Sequence, residues 1–257
     1  MHRLFGAAVL AGMLVCATAA SAQTSFARAY LDVNFGVTQV TKSDLDSTFH
    51  TTIFQETATF TTVYTQGNGV LFDIGGGFMF NKKFGVGVSY AMTGHNDDVL
   101  MTATVPHPNI FNANGTGSGT ATVKGAEADV NISAVLVLMD SGKMKIRILA
   151  GPSFIAVKQE IVEDFFYHQS ISGATNTITV SASDAILQSP TQTTNLVGFH
   201  VGGDFAYFFS KVFGVGGMAR FVAAGSKDIT DPFALAPNTI TIKGGGFQVG
   251  GGIRLRF

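Results

Sequence analysis

The sequence has one cysteine, no tryptophan, little charge and no long apolar run beyond its N-terminal segment, and each shortage excludes something. Cys16 lies in a stretch that reads as a removable leader, so the rest of the chain has no disulfide framework, cysteine-based zinc site or cysteine nucleophile. The net charge of -1 implies no polyanionic or polycationic partner, and without a basic patch no nucleic acid is expected. Charged residues are 13% of the chain, against about 25% in ordinary soluble domains. Hydrophobic residues nevertheless reach 46%. The longest apolar run past the leader is 132–139, interrupted by Ser133, too short for a membrane helix. Apolarity spread through short alternating stretches is what membrane-crossing strands produce.

The leader reading rests on Arg3, the apolar stretch 4–20 and the small-residue site Ala20-Ser21-Ala22. It divides the chain into a cleaved signal peptide, 1–22, and one domain, 23–257. A lipoprotein site at Cys16 is disfavoured because Val15 is larger than the small residue such a site resembles. An uncleaved anchor is disfavoured by the short apolar run.

Alternation with period two recurs near 28–38, 70–80, 84–92, 126–139, 143–157, 195–209, 212–223 and 246–257. Each stretch is close to or above the roughly 9–11 residues that a tilted strand needs to cross a bilayer. Tight polar turns stand at Asn81-Lys82-Lys83, Asp140-Ser141-Gly142 and Ser210-Lys211. The four other connections are long: 39–69, 93–125, 158–194 and 224–245. This alternation predicts an all-β fold: a closed antiparallel eight-stranded transmembrane barrel with three short periplasmic turns and four long extracellular loops.

Charge parity fixes which face points inward. Asp32 opposes Leu31 and Val33, Asp73 opposes Phe72 and Ile74, and Glu127 and Asp129 oppose Val130 and Ile132. Lys145 and Arg147 alternate with Ile146 and Ile148, Asp204 with Phe205, Arg220 with Phe221, and Arg254 and Arg256 with Ile253 and Leu255. A basic residue facing lipid at mid-depth costs about 2–4 kcal/mol, so turning Lys145, Arg147, Arg220 and Arg254 outward would cost on the order of 10 kcal/mol. That rivals the whole stability of a domain. The charged face is therefore expected to line the lumen, with Asp32, Asp73, Glu127, Asp129 and Asp204 facing Lys145, Arg147, Arg220, Arg254 and Arg256 in an ion-pair network. Glycine, with 31 residues, clusters inside the strands, where it relieves crowding in a narrow barrel. Phe78, Phe80, Phe84, Tyr207, Phe208, Phe209, Phe213 and Phe257 flank the short turns as one aromatic girdle. Tyr90, Phe154, Phe199 and Phe221 lie toward the other end.

The ending Gly250-Gly251-Gly252-Ile253-Arg254-Leu255-Arg256-Phe257 resembles the C-terminal insertion signal of outer-membrane proteins, with Ile253, Leu255 and Phe257 as its alternating apolar residues. With the leader and eight strands, the chain resembles small eight-stranded bacterial outer-membrane barrels such as the outer membrane protein A transmembrane domain and outer membrane protein W. The resemblance implies a bacterial outer-membrane location, contact with outer-membrane lipids and recognition by the barrel-assembly machinery during insertion. A closed barrel has no free edge demanding a partner, so a monomer is expected. No cofactor or metal is expected.

Three functions follow. The first is a non-enzymatic scaffold or surface-interaction protein acting through its long loops. The second is a narrow porin-like passage for small or hydrophobic solutes, which the resemblance to outer membrane protein W implies. An eight-stranded lumen has room for side chains and little else, which favours the first. The third is a lipid A-modifying hydrolase. His168 and Ser170 resemble the pair used by lipid A deacylase barrels, with Glu160, Glu163 or Asp164 to orient the base, but they fall in a loop rather than on a strand. His95-Asn96-Asp97-Asp98 and His107 are read as a solvated polar rim rather than a cation site. His200 is read as a hydrogen-bonded lumen filler. The alternating segments at 57–64, 177–180 and 239–242 can extend the barrel as hairpins, and the apolar pairs Ile110-Phe111 and Phe165-Phe166 can cap it or present a contact surface.

Overall fold

The computed structural model describes residues 27–162, 166–181, 191–230 and 239–257; the leader reading and its cleavage site fall outside them. Among the described residues twelve strands form: β1 (Ala29–Val40), β2 (Ser47–Ile53), β3 (Glu56–Gln66), β4 (Gly69–Met79), β5 (Phe84–Pro106), β6 (Asn114–Asp140), β7 (Met144–Glu160), β8 (Phe166–Ser172), β9 (Thr175–Ser181), β10 (Thr191–Phe208), β11 (Phe213–Thr230) and β12 (Thr239–Arg256). Eight of them make a ring in the order β1-β4-β5-β6-β7-β10-β11-β12, and β12 pairs back onto β1. Every pairing in the ring is antiparallel. The fold is an all-β barrel, and each membrane strand has neighbours on both sides, so no backbone edge is left to lipid.

The period-two pattern sets the faces. Phe35, Val37, Val70, Val86, Val197, Val201, Phe221 and Ile253 point outward, where a membrane would cover them. Phe78, Phe80, Phe84, Tyr207, Phe209, Phe213 and Phe257 are exposed around the short-turn end. Phe208 departs from the expected girdle: it is buried, and the Arg256 guanidinium lies 3.9 Å from its ring centre. Its even position in β10 puts it on the same face as Asp204.

The short turns match the expected ones, but the long connections are mostly strand. β5 and β6 stay paired as far as Pro106 and Asn114, well past the top of β4. β3 takes the place of β4 beside upper β5, pairing Thr59–Gln66 with Asp97–Thr104, and β2 pairs with β3. Above the membrane this gives a four-stranded sheet, β2-β3-β5-β6. The β8–β9 hairpin packs on its β6 side, and its Ile178 and Val180 join Val99, Met101, Ala103, Val105 and Val123 in an apolar core.

Glycine makes this packing possible. A Cβ on Gly115, Gly117 or Gly119 would run into the backbone oxygen of Asn176, Ile178 or Val180, respectively. The Gly-Thr-Gly-Ser-Gly alternation thus leaves a flat track on which β9 lies backbone to backbone. The turn joining β2 to β3 takes the opposite course: Phe54 and Gln55 have φ of 52° and 62°. Hairpin turns of two positive-φ residues favour Asn-Gly, and a left-handed side chain of ordinary size costs about 1–2 kcal/mol.

Candidate functional site in the lumen and the extracellular sheet

The lumen is filled in layers. Nearest the short turns, Met79, Val135 and Val137 form a small apolar floor with Tyr30 and Leu149. Above it, two arginines and two aspartates interlock. Arg147 Nη2 lies 2.7 Å from Asp32 Oδ2 and also bonds Asp204 Oδ1. Arg254 donates through Nε to Asp204 Oδ2 at 3.0 Å, and its Nε is 3.6 Å from Asp32 Oδ1. The Tyr30 ring lies 4.2 Å from the Arg147 guanidinium. Missing side chains make the room: a Cβ on Gly77 would lie 2.6 Å from Tyr30 Cζ, and one on Gly216 would lie 2.9 Å from Arg254 Nε. The strands supply the charges in register, Asp204 opposite Arg147 between β10 and β7 and Asp32 opposite Arg254 between β1 and β12.

A second layer is built on Arg220. Its Nη2 is 3.0 Å from Asp73 Oδ2, its Nη1 is 2.8 Å from Ser89 Oγ, and its Nε donates to Gln248 Oε1 at 2.8 Å. Gln248 passes the contact on to Asp129 at 2.9 Å, and Asn34 donates to the other Asp73 oxygen at 2.8 Å. Beside this layer His200 is clamped by Ser133 at Nε2 and Ser153 at Nδ1, each at 2.9 Å. Between the two layers lies a cavity of about 40 Å³ lined by Asp32, Asn34, Asp73, His200, Asp204 and Arg220, room for a few waters at most.

The expected charge set is therefore only partly brought together. Asp32, Arg147, Asp204 and Arg254 meet, and Asp73 meets Arg220. Asp129 reaches Arg220 only through Gln248, and Glu127 accepts the Gly245 backbone N–H at 3.1 Å rather than a cation. Lys145 pairs with Asp140, the last residue of β6 and its partner across the β6–β7 ladder, at 3.4 Å, and Arg256 donates to the Lys211 carbonyl at 3.0 Å. Both share the lumen parity, but they sit so near the strand ends that their long side chains reach the rim, where partners and water are available.

The His95–Asp98 segment is not a solvated rim. It is a continuous part of β5, with His95 and Asp97 buried and Asn96 and Asp98 outward. Asp97 accepts from Gln159 Nε2 at 2.9 Å and from the Gly67 N–H at 3.1 Å, and His95 Nε2 lies 3.6 Å away from it. No cluster of three or more potential metal ligands occurs among the described residues. His168 and Ser170 stand on an exposed face of β8, outside the barrel, and Glu160 is engaged by the Lys124 N–H at 2.9 Å. Glu163, Asp164 and Phe165 lie outside the described residues.

Periodicity did not mark one lumen residue at all. Leu45, in the link from β1 to β2, is buried against Ile155, Val157, Leu196, Val222 and Ile242 at the barrel mouth. Asp44 exchanges two backbone hydrogen bonds with Thr241, at 2.9 and 2.8 Å, and Ser43 Oγ accepts from the Lys243 N–H at 3.0 Å. This isolated leucine among Lys42, Ser43, Asp44 and Asp46 acts as a stopper. Its apolarity against polar neighbours is the only sequence signal.

Residues 8–254 match the model of the outer membrane protein beta-barrel domain. The chain belongs to that family. Its place is the bacterial outer membrane. No curated protein matches the sequence. Among solved structures, this barrel domain is similar to the outer membrane protein OprG from Pseudomonas aeruginosa, at 14% identity and a TM-score of 0.51, covering 90% of this chain and 96% of that one. Neisserial surface protein A matches at 10% identity and a TM-score of 0.44, covering 89% and 97%. Ail, the attachment invasion locus protein of Yersinia pestis, matches at 10% identity and a TM-score of 0.37, covering 88% and 99%. At these identities the likeness concerns the fold. In the outward row of β12, Ile253 is exposed and Leu255 half-buried, and Phe257, just past the strand, is exposed.

Proposed function

We propose that this outer-membrane barrel is a non-enzymatic scaffold that holds a rigid extracellular sheet for surface contacts. The filled lumen carries this reading. Two charge layers, a cavity of about 40 Å³ and the Leu45 stopper lie in series along its axis. A conducting lumen would have to dissolve buried ion pairs, and breaking one such pair costs about 3–5 kcal/mol. Proteoliposome swelling tests the reading: small sugars should enter no faster than into protein-free vesicles, and sugar-driven swelling would overturn it. Ile253, Leu255 and Phe257 support an insertion-signal role, for which Phe257→Ala should lower the amount of barrel assembled in the outer membrane.

One observation favours a second reading, a passage for small apolar solutes. The lining of the mouth is apolar and packs around the protein's own Leu45. If the mouth takes solute, Leu45→Ala should raise uptake of an apolar dye while polar solutes stay excluded. Unchanged uptake would remove this reading.

A further inference from the structure

Three of the extracellular hairpins, β2–β3, β5–β6 and β8–β9, do not end independently. Glu56, at the start of β3, accepts the Asn112 N–H through both carboxylate oxygens at 3.1 Å, tying the β2–β3 turn to the β5–β6 turn. Inside the latter, His107 Nδ1 accepts the Asn109 and Ile110 N–H groups at 3.0 and 3.1 Å, and its Nε2 meets the Gly173 carbonyl of the β8–β9 turn at 3.1 Å. Gln169 and Asn176 add bonds to the Pro106 and Val105 carbonyls, at 3.0 and 2.9 Å. The result is one braced tip rather than three loose loops.

The tip is apolar where it should be polar. Phe111 is 74% exposed, Phe54 50% and Ile110 38%. Glu56 is the only acidic residue at these two turns, there is no Lys or Arg, and the Glu56 carboxylate is already engaged. Phe54 is also held in the left-handed region, where asparagine or glycine would be relaxed. A half-exposed aromatic residue at a left-handed turn position costs the fold about 1–2 kcal/mol. Position matters too. The outward apolar row of β5 ends near Met92, and the strand runs on to Pro106, a further height of about 35 Å at a rise of about 3.3 Å per residue and a tilt of about 40°.

We propose that this tip inserts into the lipid bilayer of an apposed membrane. An exposed cluster of two phenylalanines and an isoleucine without a cation, flanked by Gln55, Asn109 and Asn112, suits the bilayer interface, which accepts aromatic rings without demanding a matching shape. Its lack of basic residues predicts indifference to anionic lipid. The proposal rests on the scaffold reading and names the partner of its extracellular sheet.

The test uses the full chain in nanodiscs and phosphatidylcholine vesicles, with flotation as the readout. Wild-type protein should float with the vesicles, equally with or without added phosphatidylserine and at low or high salt. The double variant Phe54→Asn, Phe111→Ser should lose at least about tenfold in vesicle binding. Its denaturation midpoint should be unchanged or raised, because asparagine in place of Phe54 relieves the strained turn; a merely structural role for Phe54 would move stability the other way. Failure of the wild type to float, full binding by the variant, or binding that needs anionic lipid would overturn the proposal. So would attachment to whole cells that vesicles of their extracted lipids do not reproduce, which would assign the tip to a protein partner. Sugar-driven swelling is read separately, so the scaffold reading can stand or fall on its own.

Discussion

Asp204 accepts the Arg254 Nε hydrogen at 3.0 Å inside the barrel, where Arg254 is fully buried. The other oxygen of the same carboxylate accepts from Arg147, so one aspartate joins two arginines contributed by different strands. Arg147→Ala should leave part of that charge uncompensated and destabilise the barrel by about 3–5 kcal/mol in denaturant titration of the lipid-reconstituted protein. Asp204→Asn should lose a comparable amount, and the double variant less than the sum, because each single change strands the partner of the other. Additive losses would mean that the two residues are not coupled.

The outward face gives a complementary prediction. Val201 is 47% exposed on β10, on the opposite parity from His200 and Asp204. Val201→Arg should cost about 2–4 kcal/mol, while Val201→Ile should be nearly neutral. The difference between the two unfolding midpoints in lipid measures which way that face points.

The extracellular sheet makes a steric prediction. Gly117 faces the Ile178 carbonyl too closely to admit a Cβ. Gly117→Val should lift the β8–β9 hairpin from β6 and open it to protease, leaving the membrane strands protected. A hairpin as resistant as in the wild type would mean that β9 does not rest on that track.

Parity made the barrel and most of its lumen legible in the sequence, because membrane strands tolerate charge on one face only. Asp32, Asp73, Arg147, Asp204, Arg220 and Arg254 follow from that rule alone. Parity gives the face but not the partner. Lys145 and Arg256 obey it and still turn to the rim, because their distance from the strand end decides where a long side chain finds water. Glu127 obeys it and meets a backbone N–H. The extracellular part was less legible. Gly, Thr and Ser between 114 and 120 have the composition of a turn, and only the contact with β9 shows why glycine alternates there. His95 and Asp97 look like rim residues until β5 is seen to continue past β4. Leu45 has no periodic neighbours, so nothing local announces a stopper.

Single-channel recording in planar bilayers tests the filled lumen most directly. The wild-type barrel, refolded and shown to be inserted, should be silent. Steady conductance from the wild type would contradict the account.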